Sequence, residues 1–135
     1  MSAVLNEAPP ALDPHKVSGA ALRTFFRIAD AWKLSSKEQI TLLGNPSKST
    51  FYRWKQVADL SLPQDTLERL SYIFGIYSAL QVLLPQEAAA DAWVRKPNTA
   101  PLFGGRSALE RMLSGQVSDL YVVRQYLDAQ RGGWA

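Results

Sequence analysis

Apolar residues recur at helical spacing along most of this chain. Leu22, Phe25, Phe26, Ala29 and Trp32 form one stripe, which predicts a helix over Ser18 to Lys33. Ser35 or Ser36 can cap a second helix, with Ile40 and Leu43 inward and Gly44 ending it. A third helix follows a Gly-Asn-Pro turn and runs from about Ser47 to Val57. Pro63 suits the first turn of a long fourth helix, where Leu67, Leu70, Phe74, Tyr77 and Leu80 recur and Gly75 weakens the middle. Pro85 marks a break and opens a fifth helix ending near Val94. Ser107 to Leu113 reads as a short helix closed by Gly115. Val117 to Gln130 reads as a last one, with Leu120, Val123 and Leu127 on one side and Gly132 and Gly133 as its stop. Alternating polar and β-branched runs are missing, so the pattern predicts an all-α fold.

Met1 to Pro14 carries three prolines and little periodicity, and residues 1–17 are expected to form a mobile arm. The stretch Arg95 to Arg106, RKPNTAPLFGGR, holds two prolines and two glycines and is the best internal linker. The division expected is an N-terminal bundle over 18–84 and a smaller helical domain over 85–135.

The third helix separates its residues most sharply. On a helical wheel Phe51 and Trp54 fall on one side, with Ser47 and Ala58 near them. Ser49, Tyr52, Arg53 and Gln56 fall opposite, flanked by Lys48, Thr50 and Lys55. Such a face can lie in a DNA major groove: Arg grips guanine, Gln pairs with adenine, and Ser or Thr bonds phosphates. A solvated amphipathic helix with core aromatics is the plainer account of any short polar helix taken alone. The order helix, glycine turn, Ser-x-x-Thr, aromatic, Arg-Trp favours DNA.

Charge and composition permit this without demanding it. The chain has 135 residues, a net charge of +3 and 47% hydrophobic residues, those of a folded chain. It has no cysteine, which excludes disulfides and thiolate metal sites and suits the cytoplasm. There is no apolar run of membrane-spanning length and no signal-peptide order at the N-terminus. The single histidine, His15, falls in the expected arm, so no positioned histidine base is expected. No metal-spaced carboxylate cluster and no phosphate-cradling loop is found, and neither enzyme activity nor a cofactor is expected. Gly104 to Ser107 offers an anion a helix N-terminus, but a structural turn capped by Ser107 or Gly105 is favoured. Glu110 and Arg111 read as a solvated helix face.

The order Leu43-Gly44, then Ser47-x-x-Thr50 resembles the helix-turn-helix of Xre-type phage repressors. The turn is one residue longer than usual, because Asn45 and Pro46 stand before Ser47, which bears on the angle of the third helix. Behind it come Trp93 with Pro97-Asn98, then Phe103-Gly104-Gly105 with a short helix, then Leu127-Asp128 with a glycine-rich end. This succession, from about Ser18 onward, resembles the Xre/MbcA/ParS antitoxins. The resemblance implies an N-terminal helix-turn-helix bundle and a C-terminal toxin-binding domain over 85–135. It implies a RES-domain toxin that degrades NAD as partner, operator DNA bound to autorepress the operon, and no enzyme activity.

DNA contacts are then expected at Lys48, Ser49, Thr50, Tyr52, Arg53, Lys55 and Gln56. Toxin contacts are expected at Arg106, Tyr126, Arg131, Gly132, Gly133, Trp134 and Ala135. Two glycines let a chain end enter a narrow cleft, and a terminal Trp is a common interface anchor. A homodimer is expected, as for most helix-turn-helix readers of paired half-sites, with Tyr72, Ile76 and Tyr77 as candidate contacts. The alternative is a stand-alone helix-turn-helix regulator whose second half senses a ligand or binds another protein.

Overall fold

The computed structural model describes residues 14–57 and 59–132. Among them the chain is helical throughout: α1 (Pro14–Ala31), α2 (Ser36–Leu42), α3 (Lys48–Gln56), α4 (Gln64–Leu83), α5 (Glu87–Ala92), a 3-10 turn (Trp93–Arg95), α6 (Ala108–Met112) and α7 (Val117–Gly132). The one β-type pairing is an isolated bridge between Pro97 and Ser107. No described helix is long and apolar enough to cross a membrane.

The central element is α4. Its inward residues Leu70, Ile73, Ile76, Ala79 and Leu80 are fully buried, and it packs against α1 and along much of α7. Apolar side chains lie on nearly all its faces, as burial from several directions requires. Gly75 leaves room for an arginine of α7: a Cβ at that position would meet Cδ and Cζ of Arg124 at 2.7 Å and displace that side chain. Ile76, expected as a dimer contact, has no exposed surface within a single chain and cannot serve as one. Tyr72 and Tyr77 are half-buried.

Helix ends follow their caps. Ser35 and Glu38 form a reciprocal capping box at α2, Ser47 caps α3 and Ser107 caps α6. The first helix begins at Pro14, not Ser18, so residues 14–17 of the expected arm are helical and His15 is part of α1, with Nδ1 2.8 Å from an Asp59 carboxylate oxygen. Ser18 lies inside α1, buried, and its hydroxyl accepts the Leu62 amide at 2.9 Å. Residues 1–13 lie outside the described part. The last helix runs through Gly132, beyond the expected stop near Gln130.

The segment Arg95 to Arg106 is not a linker. The Asn98 amide bonds the Arg106 carbonyl, the Gly105 amide bonds the Asn98 carbonyl, and the Asn98 side chain accepts the Ala100 amide. Phe103 is 5% exposed and joins the core between Trp93 and Tyr126, with ring centroids 5.9 and 5.3 Å away. The proline and glycine content reflects tight turns folded onto the domain. One hydrophobic core runs through both halves of the chain.

Candidate nucleic-acid and partner-binding surfaces

Between α2 and α3 the backbone turns through two successive left-handed residues, Gly44 at φ +97° and Asn45 at +62°. The Gly44 amide bonds Thr41 O and the Asn45 amide bonds Ile40 O, closing α2 with a Schellman pattern. Asn45, a residue type that tolerates this region, absorbs the extra position of the turn. Gly44 also sits under α4: an added Cβ would lie 3.1 Å from Arg69 Nε and Asp65 Oδ2.

Ser47 then fixes the start of α3. Its hydroxyl accepts the Thr50 amide at 3.1 Å and donates to the Thr50 hydroxyl at 2.9 Å. The inward rings are as expected: Phe51 is fully buried and Trp54 is 7% exposed. The opposite face is open. Lys48, Ser49, Tyr52, Arg53, Lys55 and Gln56 are all exposed, while Thr50 is half-buried and engaged with the cap. The Lys55 ammonium lies 5.5 Å over the Phe26 ring and 5.3 Å over the Phe51 ring. The expected DNA-contact residues therefore share one helix and, apart from Thr50, one solvent-facing surface.

The candidate toxin contacts are less tightly gathered. Arg106 is exposed on a groove with Leu102, Phe103 and Glu110. Tyr126 is half-buried against Phe103, so part of its ring holds the domain together. Arg131 and Gly132 are exposed on the last turn of α7, and Gly133, Trp134 and Ala135 lie outside the described residues.

Three arginines that position these surfaces went unread in the sequence or were misread there. Arg69, 9% exposed, binds Asp65 Oδ2 at 3.1 Å and the Gly115 carbonyl at 3.0 Å while covering Gly44. Arg95 donates to the carbonyls of Trp32 and Lys33 at the end of α1, at 3.0 and 2.7 Å, and to Glu38 at 2.9 Å. A cation at a helix C-terminus also complements the helix dipole. Burial works to raise the Glu38 carboxyl, but the Ser35 amide, the Arg95 guanidinium and the Ser35 hydroxyl outweigh it. They hold that carboxyl below its ordinary range. Arg111, expected as a solvated side chain, bonds Asp119 and the Leu102 carbonyl, both at 2.9 Å, and pins the loop to α6 and α7. No local pattern announces such roles, since the partners are up to 63 positions away.

A cleft of about 490 Å³ opens between the end of α1 and α5, lined by Trp32, Ala88, Asp91, Arg95 and Pro97 among others. Two of its charged lining residues are engaged already: Arg95 as above, and Asp91 with Gln81 at 3.4 Å. The floor is mostly apolar, without the convergent polar groups of a specific ligand site.

Two family models match the chain in succession. One is described as an antitoxin Xre-like helix-turn-helix domain and matches residues 11–75. The other is described as an antitoxin Xre/MbcA/ParS C-terminal toxin-binding domain and matches residues 78–133. The two matches meet inside α4. The uncharacterized protein y4oB of Sinorhizobium fredii is 51% identical over 133 residues, 98% of this chain and 100% of the relative.

Proposed function

The chain belongs to the Xre/MbcA/ParS antitoxin family, and from that premise we propose that it neutralises a RES-domain toxin that degrades NAD and represses its own operon. It is an antitoxin of a toxin–antitoxin system, with a helix-turn-helix region followed by a toxin-binding region. In the proposed mechanism the last turn of α7, with Arg131 and Gly132, and the residues beyond it, Gly133 to Ala135, block the mouth of the toxin's NAD pocket. Trp134 supplies a flat ring for stacking, and Arg131 and the terminal carboxylate supply charge where a dinucleotide's phosphates and their binding groups meet. Arg106 and Tyr126 border the same contact. Ordering the residues beyond Gly132 costs of order 1–2 kcal/mol each, so the Trp134 anchor has to be well fitted.

The α3 face reads operator DNA, Arg53 at a base edge and Lys48 at a phosphate, with Ser49, Thr50, Tyr52, Lys55 and Gln56 beside them. A homodimer presents two such helices to paired half-sites in the cytoplasm. The observation that carries the DNA half of the reading is the cap-fixed, solvent-facing surface of α3, turned outward by two buried aromatic rings.

The test is co-purification with the protein encoded by the adjacent gene, followed by an NAD-consumption assay. A chain ending at Gln130 is expected to fold and bind DNA yet fail to stop NAD loss. Full inhibition by that truncated chain at equal concentration would remove the tail from the mechanism.

A further inference from the structure

Beside the α3 surface, α1 exposes two arginines that the fold does not use. Arg23 and Arg27 stand one turn apart, both solvent-facing, and among the described residues neither has a carboxylate or a hydrogen-bond partner. Like charges at this spacing repel, so the pair works mildly against the helix that carries it. Arg23 lines a groove of about 190 Å³ where the end of α3 crosses α1, together with Phe26, Trp54, Lys55 and Gln56. The Lys55 ammonium is held at that seam by the Phe26 and Phe51 rings. Arg23 and Lys55 thus share the α1–α3 seam, at the border of the face proposed to read bases, and Arg27 stands exposed one turn further along α1.

The charge balance of the chain points the same way. Residues 14–62 carry eight Lys and Arg against three Asp and Glu, whereas residues 63–135 carry seven of each. The local excess that a polyanion needs lies around α1 and α3.

We propose that Arg23, Arg27 and Lys55 form a phosphate track that continues the α3 surface onto α1 and grips the backbone of double-stranded DNA regardless of sequence. This rests on the DNA reading above and extends it to a helix outside the helix-turn-helix pair. Lys55 is fixed over its rings as a point charge, and the arginines provide forked donors for phosphate oxygens.

The test compares the intact chain, Arg23→Ala/Arg27→Ala and Arg53→Ala. The probes are two 30-base-pair duplexes, one from upstream of the chain's own coding sequence and one of random sequence, each titrated from 50 to 200 mM NaCl. For the double variant the slope of log affinity against log salt should become shallower by about two units on both duplexes. Each lost phosphate contact removes about 0.9 of a unit. The fall in affinity between those salt concentrations should then be about tenfold smaller than for the intact chain. Arg53→Ala should lose affinity mainly on the upstream duplex. The melting temperature of the double variant should match the intact chain, because both side chains are exposed, and Arg23→Gln/Arg27→Gln should behave alike.

An unchanged slope for the double variant, with the intact chain binding normally, overturns the track and leaves the α3 reading standing. A loss confined to the upstream duplex overturns it in favour of base reading. If the intact chain binds neither duplex, the DNA reading and the track fall together.

Discussion

Among the described residues, Arg23, Arg27, Lys48, Arg53 and Lys55 project from α1 and α3 with no carboxylate in ion-pair distance, whereas Arg69, Arg95, Arg111 and Arg124 each hold an acidic partner. The first set lies before residue 63 and the second after it. Arg69 and Arg95 also bond backbone carbonyls far along the chain, at Gly115 and Trp32, and Arg111 bonds the Leu102 carbonyl nine positions before it. In one region, then, positive charge is left for something outside the molecule, and in the other it ties distant segments together. Among the described residues, Lys96, Arg106 and Arg131 are the second region's exposed cations without an ion pair, and two of them are proposed toxin contacts. The whole-chain net charge of +3 hides this difference. The two halves differ in how many of their cations are left unpaired.

The contrast can be broken by experiment. The largest effect is expected where α3 turns its structural side inward. Trp54→Ala should destabilise the fold by about 3–5 kcal/mol through the lost ring and the cavity left behind. DNA binding would then disappear through unfolding. An unchanged melting temperature for Trp54→Ala would mean that the ring does not anchor α3.

Next comes the pair that defines the comparison. Arg69→Ala should cost about 2 kcal/mol, from hydrogen bonds made by a charged donor and from lost cover over Gly44. Lys at the same position should recover only part of this, since an ammonium lacks the planar fork that serves Asp65 and the Gly115 carbonyl together. Arg53→Ala should change stability by less than about 0.5 kcal/mol. Its deficit belongs in operator binding, at about 1–3 kcal/mol, with relaxed sequence preference. Urea melts and operator titrations on the same two variants check both halves. If the Arg53 variant unfolds easily and the Arg69 variant does not, the division is the reverse of that drawn here.

The smallest effect is the Arg95–Glu38 tie. Because the folded-state pKa of Glu38 is lowered, its contribution is present above the ordinary carboxylate value of 4.5 and is lost as pH falls below it through the folded-state value. Glu38 is 24% and Arg95 41% exposed at the side chain, so solvent limits the contribution to about 1 kcal/mol or less. Glu38→Gln should therefore be less stable than the intact chain at pH 7, and the gap should close in acid. A gap that stays constant down to pH 3 would rule out this pairing as its source.

Much of this molecule was legible along the chain. The outward and inward faces of α3 followed from the spacing of Phe51 and Trp54, because a regular helix converts spacing directly into direction. Two caps were legible as pairs of candidates, Ser35 or Ser36 and Ser107 or Gly105, since a cap is satisfied within three residues, and the structure uses Ser35 and Ser107; the Ser47 cap was not read. The start of α1 was missed because Pro14 was counted with the proline-rich arm, although proline is well tolerated in a first helical turn.

What the tertiary structure alone decided is which side chains act across long separations. Ile76 looked like a surface residue because α4 is apolar on several faces, and only packing on both sides shows it enclosed. Gly75 looked like a weak point until Arg124 crossed it. The segment 95–106 looked like a linker because turns and linkers share prolines and glycines, while its hydrogen bonds and the Phe103 contacts exist only in the folded chain. Arg69, Arg95 and Arg111 carry long, flexible side chains whose partners are fixed by how helices pack. Local periodicity records the face a residue occupies on its own helix; it holds no record of what that face meets.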